Sequence, residues 1–318
     1  MGVASGRGVA GHTLAVAGQR IVIDGRDTFL TGISLFDALG TVPVRDRDLD
    51  ALAGWGVNTV RVWAHWHTPI YQPDGALSAD GRARLLALAR RLEERGLTFE
   101  LVVLRPGQLP GQPFTAFASD AARTKAMEEV TTAMRPFRNV LFDLCNEHDH
   151  PDGPMTHAAV RLLRDRVKAI DPQRIVTISS TEYHLVSADG ALDDARVRNL
   201  REEVGGDAAS VRADLVSPHF PRTDAWAAAT GERVGAIRRA LDQLGARVPV
   251  YLDEERRADG AVRLPADAYA RAQAGAASAG AAGWLFHTAA GFELAKTPFL
   301  DALLPEERAG LRALRSFP

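Results

Sequence analysis

Eight short apolar runs, each followed by an amphipathic stretch of helical period, constrain the fold of this chain more than any other feature. The runs fall at 28–34, 58–63, 98–104, 140–146, 174–180, 214–219, 248–254 and 283–287. Of the stretches between them, 78–96 is the clearest. Ser78 supplies an N-cap, Leu85, Leu88 and Leu92 recur at i, i+3 and i+7, and Gly96 marks the C-terminal stop. Similar patterns cover 46–55, 118–135, 155–170, 191–203, 224–244, 265–278 and 305–315. Strands that alternate with helices call for parallel pairing and right-handed crossovers. An open doubly wound sheet announces itself by a glycine-rich turn after its first strand, and Gly32-Ile-Ser-Leu-Phe-Asp-Ala-Leu-Gly40 is not one. The expectation is therefore an α/β fold, a closed (β/α)8 TIM barrel forming one domain over 1–318. A short N-terminal β-hairpin precedes it, beginning near Leu14, after a lead at 1–13.

Composition narrows the partners. The chain carries 46% hydrophobic and 25% charged residues and a formal net charge of −2, so nucleic-acid binding has no electrostatic support. No stretch approaches the ~20 apolar residues that span a bilayer. The single Cys145 excludes an internal disulfide and reads as a buried, inert thiol inside the fourth strand. The first residues lack an apolar signal core, so the chain is expected to be cytoplasmic, or secreted if a signal peptide has been removed.

In such barrels the active site sits at the C-terminal ends of the strands. Polar residues gather there. The second strand ends in Arg61-Val-Trp-Ala-His-Trp-His67, the fourth in Asn146-Glu-His-Asp-His150 and the fifth in Ser179-Ser-Thr-Glu-Tyr-His184. The sixth ends in Ser217-Pro-His-Phe220, the seventh in Asp253-Glu-Glu255 and the eighth in Trp284-Leu-Phe-His287. Seven of the nine histidines fall at or just beyond these ends: His65, His67, His148, His150, His184, His219 and His287. Collectively they mark a functional face, although each alone is as well explained by a structural role. Glu147 and Glu254 close two strands far apart in sequence, and a closed barrel brings both to one rim. Two carboxyls flanking one cleft are the minimal machinery for breaking a glycosidic bond.

Asn58-Thr-Val-Arg-Val-Trp63, Asn146-Glu147 after an apolar strand, and Pro249-Val-Tyr-Leu-Asp-Glu254 resemble the clan A glycoside hydrolases, in particular the cellulase-type family 5. The opening Asp24-Gly-Arg-Asp-Thr-Phe-Leu-Thr-Gly-Ile-Ser34 resembles that family's first hairpin and strand, and the likeness runs in order over 25–290. The resemblance implies a retaining β-glycosidase acting on a glucan- or mannan-type substrate, without metal or organic cofactor. It makes Glu147 the acid/base, Glu254 the nucleophile and Asn146 the donor to the sugar 2-hydroxyl. Arg61 would keep Glu254 ionised, and His219 would support the pair. Three departures bear on the substrate. His219-Phe220-Pro221 lacks the family's tyrosine, a slot Tyr183 is a candidate to fill. The family's strand 8 tryptophan is replaced near His287, and Asn-Glu-Pro reads Asn146-Glu147-His148.

Trp63, Trp66 and Trp284 are candidates for stacking on sugars, with core packing the competing role for each. His65, His148, Tyr183 and His287 are further candidate substrate contacts. The rim acids Asp37, Asp149, Glu182 and Glu293 read as hydroxyl ligands or solvated charges. Glu255 rivals Glu254 as nucleophile. Alternation groups Val248, Val250, Leu252 and Glu254 on one face, and aliphatics filling the barrel would turn Glu254 inward unless a bulge reverses it. Two other functions stay open. One is a metal-dependent amidohydrolase-type barrel using His65, His67, His184 and His219. The other is a catalytically silent carbohydrate-binding barrel.

Overall fold

The computed structural model describes residues 12–107, 117, 119–187, 189–207, 209–258, 262–315 and 317. Of the lead expected at 1–13, residues 1–11 lie outside the described residues, while the Thr13 N–H donates to Asp24 Oδ1 at 2.8 Å. An antiparallel sheet of β1 (Leu14–Ala17), β2 (Arg20–Ile23) and β3 (Arg26–Asp27) opens the described chain. There follow β4 (Leu30–Ser34), α1 (Asp46–Gly54), β5 (Thr59–Trp63), α2 (Ala79–Glu93), β6 (Thr98–Leu104) and α3 (Asp120–Met134). Next come β7 (Val140–Cys145), α4 (His157–Ile170), β8 (Ile175–Thr177), β9 (Ser179–Ser180), α5 (Asp194–Val204) and β10 (Ser217–Pro218). The chain continues through α6 (Trp226–Gln243), β11 (Tyr251–Leu252), α7 (Ala266–Ser278), β12 (Gly283–Phe286), α8 (Phe299–Ala302) and α9 (Pro305–Ala313).

The strands close a barrel. Seven pair in the order β11-β12-β4-β5-β6-β7-β8, all in parallel register. The ring continues because β9 pairs with β10 and the Tyr251 N–H donates to Val216 O at 2.9 Å. The expected (β/α)8 barrel is present. Its sixth and seventh strands are shorter than their apolar runs, and Pro249, just before the seventh, has no N–H for the ladder. The fifth run is split at Ile178, where Thr177 Oγ1 donates to Leu215 O at 3.0 Å.

Period-two alternation sorts the strand residues. Ile33, Val60, Val62, Phe99, Leu101, Phe142, Val250, Leu252, Trp284 and Phe286 face outward and share one core with Leu49, Leu52, Leu85, Val130 and Ile237 of the helices. Inside the barrel, Leu30, Leu141, Ile175, Leu215, Tyr251 and Leu285 form a lower layer, and Leu14 and Ile21 of the N-terminal sheet pack against it. Above that layer the interior turns polar, with Ser34, Arg61, Glu100, Asp143, Ser179, Ser217, Asp253 and His287 all buried.

This reverses the face assignment expected for the seventh strand. Val250 and Leu252 face the helices, and Tyr251 and Asp253 fill the barrel. Glu254 still reaches the interior because β11 ends at Leu252 and the chain bends at Glu254, which breaks the alternation. The lower layer is tightly filled: a Cβ on Gly32 would lie 2.4 Å from Leu285 Cγ and 3.1 Å from Thr59 Cβ. Gly32→Ala is expected to cost ~1–3 kcal/mol in urea denaturation through overpacking. The double variant Gly32→Ala/Leu285→Val should recover part of that loss, because the two sites share one contact.

Candidate active site

A single guanidinium organises the polar layer. Arg61 leaves β5 pointing into the barrel and is fully buried. Its Nε lies 2.9 Å from Glu100, Nη2 lies 2.7 Å from Asp143 and 3.4 Å from Asp253, and Nη1 lies 2.9 Å from Glu254. Nη2 also donates to Asn146 Oδ1 at 2.8 Å. The Arg61 guanidinium sits 4.3 Å from the centre of the Trp63 ring, which stacks on Phe36 at 3.5 Å. Trp63 therefore packs under the site and is 1% exposed.

Glu254 receives a second cation that the sequence reading missed. Arg222 Nη2 donates to its Oε1 at 2.9 Å, on the side away from Arg61. Burial pushes the Glu254 carboxyl up, but the charges of His219, Arg222 and Arg61 outweigh it and hold it well below the usual carboxylate range. Arg222 thus makes the contact for which Tyr183 was a candidate. Tyr183 is 52% exposed and makes no hydrogen bond to Glu254. Glu255 points the other way, accepting from Trp226 Nε1 on α6, and burial pushes it up to about 7.

Glu147 sits at the end of β7 in a left-handed conformation, φ 49°, with its N–H bonded to Ser179 Oγ at 3.0 Å. His219 Nδ1 donates to Glu147 Oε1 at 2.9 Å, and its Nε2 lies 3.3 Å from Asp253 Oδ1. Burial opposes a charge on His219, yet Glu254, Asp253 and Glu147 push it up to about 10, so it is an imidazolium. One oxygen of Glu147, one of Glu254 and a His219 nitrogen all lie within 4.8 Å of one another. Deeper down, burial raises the carboxyl pKa of Glu100 and of Asp143, against the pull of Arg61. Glu100 accepts from the Tyr251 hydroxyl.

His287 reaches the same cleft. Its Nε2 accepts from Arg257 Nη1 at 2.8 Å and lies 3.8 Å from Glu254 Oε1. Burial holds its pKa well below the ordinary imidazole value. Trp66 lines a cavity of about 610 Å³ with His67, Phe292 and Lys296, and neither Glu147 nor Glu254 is among its lining residues. Its Nε1 donates to Phe292 O at 2.8 Å. Three expected substrate contacts lie elsewhere. Trp284 is fully buried on the outer face of β12, 6.5 Å from the Trp226 ring, because its strand parity turns it toward the helices. His65 is 1% exposed, and burial brings its pKa down to about 4. His148 is 2% exposed and packs against His157 and His184.

The four histidines of the amidohydrolase-type alternative do not converge. His219 is on Glu147, His184 on Asp149 at 3.0 Å, His65 is sealed in and His67 faces the side cavity. Besides Arg222 and Arg257, the sequence reading missed Glu100 and Asp143, and it placed Asp253 at the rim without a role. The signal was available for both acids: Glu100 and Asp143 are charged residues interrupting otherwise apolar strands.

No protein-family profile and no curated protein matches the chain. Solved structures do. A β-mannanase from the blue mussel Mytilus edulis superposes with a TM-score of 0.60 at 13% identity, covering 96% of this chain and 96% of that one. The chain has the fold of these glycoside hydrolases. A β-glucanase from Saccharophagus degradans, solved with cellotetraose, gives 0.64 at 14% identity over 98% of this chain and 96% of that one. An endo-1,4-β-mannanase from Rhizomucor miehei gives 0.64 at 13% identity over 94% and 97%.

Arg61→Met would leave Asp143, Asp253 and Glu254 without their shared cation and is expected to cost ~3–5 kcal/mol. For His219 the folded pKa of about 10 lies above the ordinary 6.5, so its contribution to stability is complete below about pH 6.5 and lost as pH rises through about 10. Urea melts should show stability falling over that window, with a flatter pH slope in His219→Gln.

Proposed function

We propose that the chain is a retaining β-glycoside hydrolase in which the whole barrel acts as one catalytic domain. The observation that carries this is the approach of Glu147 and Glu254, whose nearest paired oxygens lie within 4.8 Å. Retaining enzymes hold their carboxyls about 5–5.5 Å apart, whereas inverting ones need about 6.5–9.5 Å to admit a water between them.

In this reading the ionised Glu254 attacks the anomeric carbon while Glu147 protonates the departing glycosidic oxygen. A covalent glycosyl-enzyme forms. Glu147, now a carboxylate, takes a proton from water, and that water displaces Glu254 with net retention. Arg61 and Arg222 keep Glu254 anionic between turnovers. Asn146 Oδ1 accepts from Arg61, which turns its amide N–H₂ toward the cleft as a donor for the sugar 2-hydroxyl. His287 and Trp66 border the sugar site. A β-linked gluco- or manno-configured oligo- or polysaccharide is the substrate class. The mannanase and glucanase neighbours, one of them solved with cellotetraose, support it.

The test is hydrolysis of aryl β-glycosides. Glu147→Ala is expected to lose ~10²–10⁴-fold in rate, the usual worth of a positioned acid/base. Glu254→Gly should be inactive until azide is added, then yield the glycosyl azide of inverted configuration. If Glu255→Gly gave that product, the nucleophile would be Glu255. A wild-type chain with no hydrolysis across glucan, mannan, xylan and aryl-glycoside substrates would leave the carbohydrate-binding barrel. Arg222→Ala is expected to lower kcat more than it raises KM, because Arg222 acts through Glu254 on the chemical step.

A further inference from the structure

We propose that His148, His157, His184 and Glu203 form a binding site for a divalent first-row transition metal, zinc by its donor chemistry, behind the loop that carries Glu147. His148 follows Glu147 directly, His157 opens α4, His184 lies in the loop after β9, and Glu203 is near the end of α5. Four separate segments thus deliver one ligand atom each, and these atoms all lie within 4.8 Å of one another. His148 Nε2 and His184 Nε2 lie 3.8 and 3.7 Å from Glu203 Oε1. Ligands held at about 2.0–2.2 Å on a tetrahedral zinc stand about 3.4 Å apart, so those two pairs close by a few tenths of an ångström and any other pair by about 1.4 Å at most.

The hydrogen bonding of the cluster points the same way. The Nε2 atoms of all three histidines and both oxygens of Glu203 are buried and have no hydrogen-bond partner. A buried carboxylate with neither oxygen satisfied is costly unless a cation meets it. Each histidine is held from its other nitrogen. His148 Nδ1 donates to Met155 O at 3.2 Å, His157 Nδ1 lies 2.8 Å from Glu202, and His184 Nδ1 lies 3.0 Å from Asp149. Asp149 is fixed in turn by the Thr181 N–H at 2.8 Å. Such outer bonds set the Nδ1–H tautomer and leave the three Nε2 lone pairs facing one point.

Three imidazoles and one carboxylate disfavour calcium and magnesium, which take oxygen ligands, and suit zinc. Four protein ligands close the coordination sphere, so the ion is structural. It ties α4 and α5 to the loops after β7 and β9, one residue from the left-handed Glu147. The ion touches neither Glu254 nor the cleft and is independent of the bond the chain cleaves.

The full chain is purified without chelator, loaded with zinc and dialysed. Elemental analysis should find about one equivalent, falling below about 0.1 in His157→Ala and in Glu203→Gln while His67→Ala keeps it. Because those variants also alter packing, chelator-treated wild type is titrated with cobalt. The intense visible absorption of a four-coordinate site should saturate at about one equivalent and vanish when zinc displaces it. Zinc should raise the Tm of the stripped protein by ~5 °C or more. A zinc-loaded wild type holding less than about 0.1 equivalent, an ion retained in full by both cluster variants, or an unmoved Tm would each show an ion-pair network only and overturn the site.

Discussion

One buried cation, Arg61, sets the terms for the whole upper half of the barrel. Four carboxylates from β6, β7 and the end of β11 converge on it, and each would be intolerable in that interior alone. The guanidinium can serve them together because it offers five donors in a planar fork, whereas an ammonium is a single compact charge. The partners of each carboxylate then decide the direction of its shift. Burial raises Glu100 and Asp143, while Asp253, buried as fully, and Glu254 are held low by Arg61 together with His219.

That balance separates the two glutamates at the rim. Glu254 lies between Arg61 and Arg222, which favour its anionic form, as the proposed nucleophile requires. Glu147 is 18% exposed at its side chain, fixed by Ser179 below and His219 beside, as the acid/base of the proposed mechanism requires. His219 couples the two halves, since one ring nitrogen meets Glu147 and the other meets Asp253. The proposed metal cluster braces Glu147 from behind. In that proposal the loop that carries Glu147 is held on both sides by histidines with different tasks.

The rim histidines were legible as a set, but their division was not. His219 and His287 serve the carboxylates; His148 and His184 join His157, a helix residue outside the rim pattern, around Glu203. Spacing along the chain does not report such a grouping, because its members come from four segments. The same limit applied to Arg222, three residues past His219, where a missing tyrosine was visible but its replacement was not.

The sequence by itself determined the barrel, its strand ends and the identity of the residues at the rim. Those follow from local periodicity and from the rule that parallel strands ending together share a face. Tertiary structure decided where the side chains went once the strands stopped. Glu254 turns inward because β11 ends at Leu252 and the chain bends, not because aliphatics fill the barrel. Trp284, a candidate sugar platform by composition, faces the helices by strand parity. The reason is physical: alternation holds only while the ladder holds, and beyond it the fate of each side chain is set by which charge or ring the closed barrel has placed nearby.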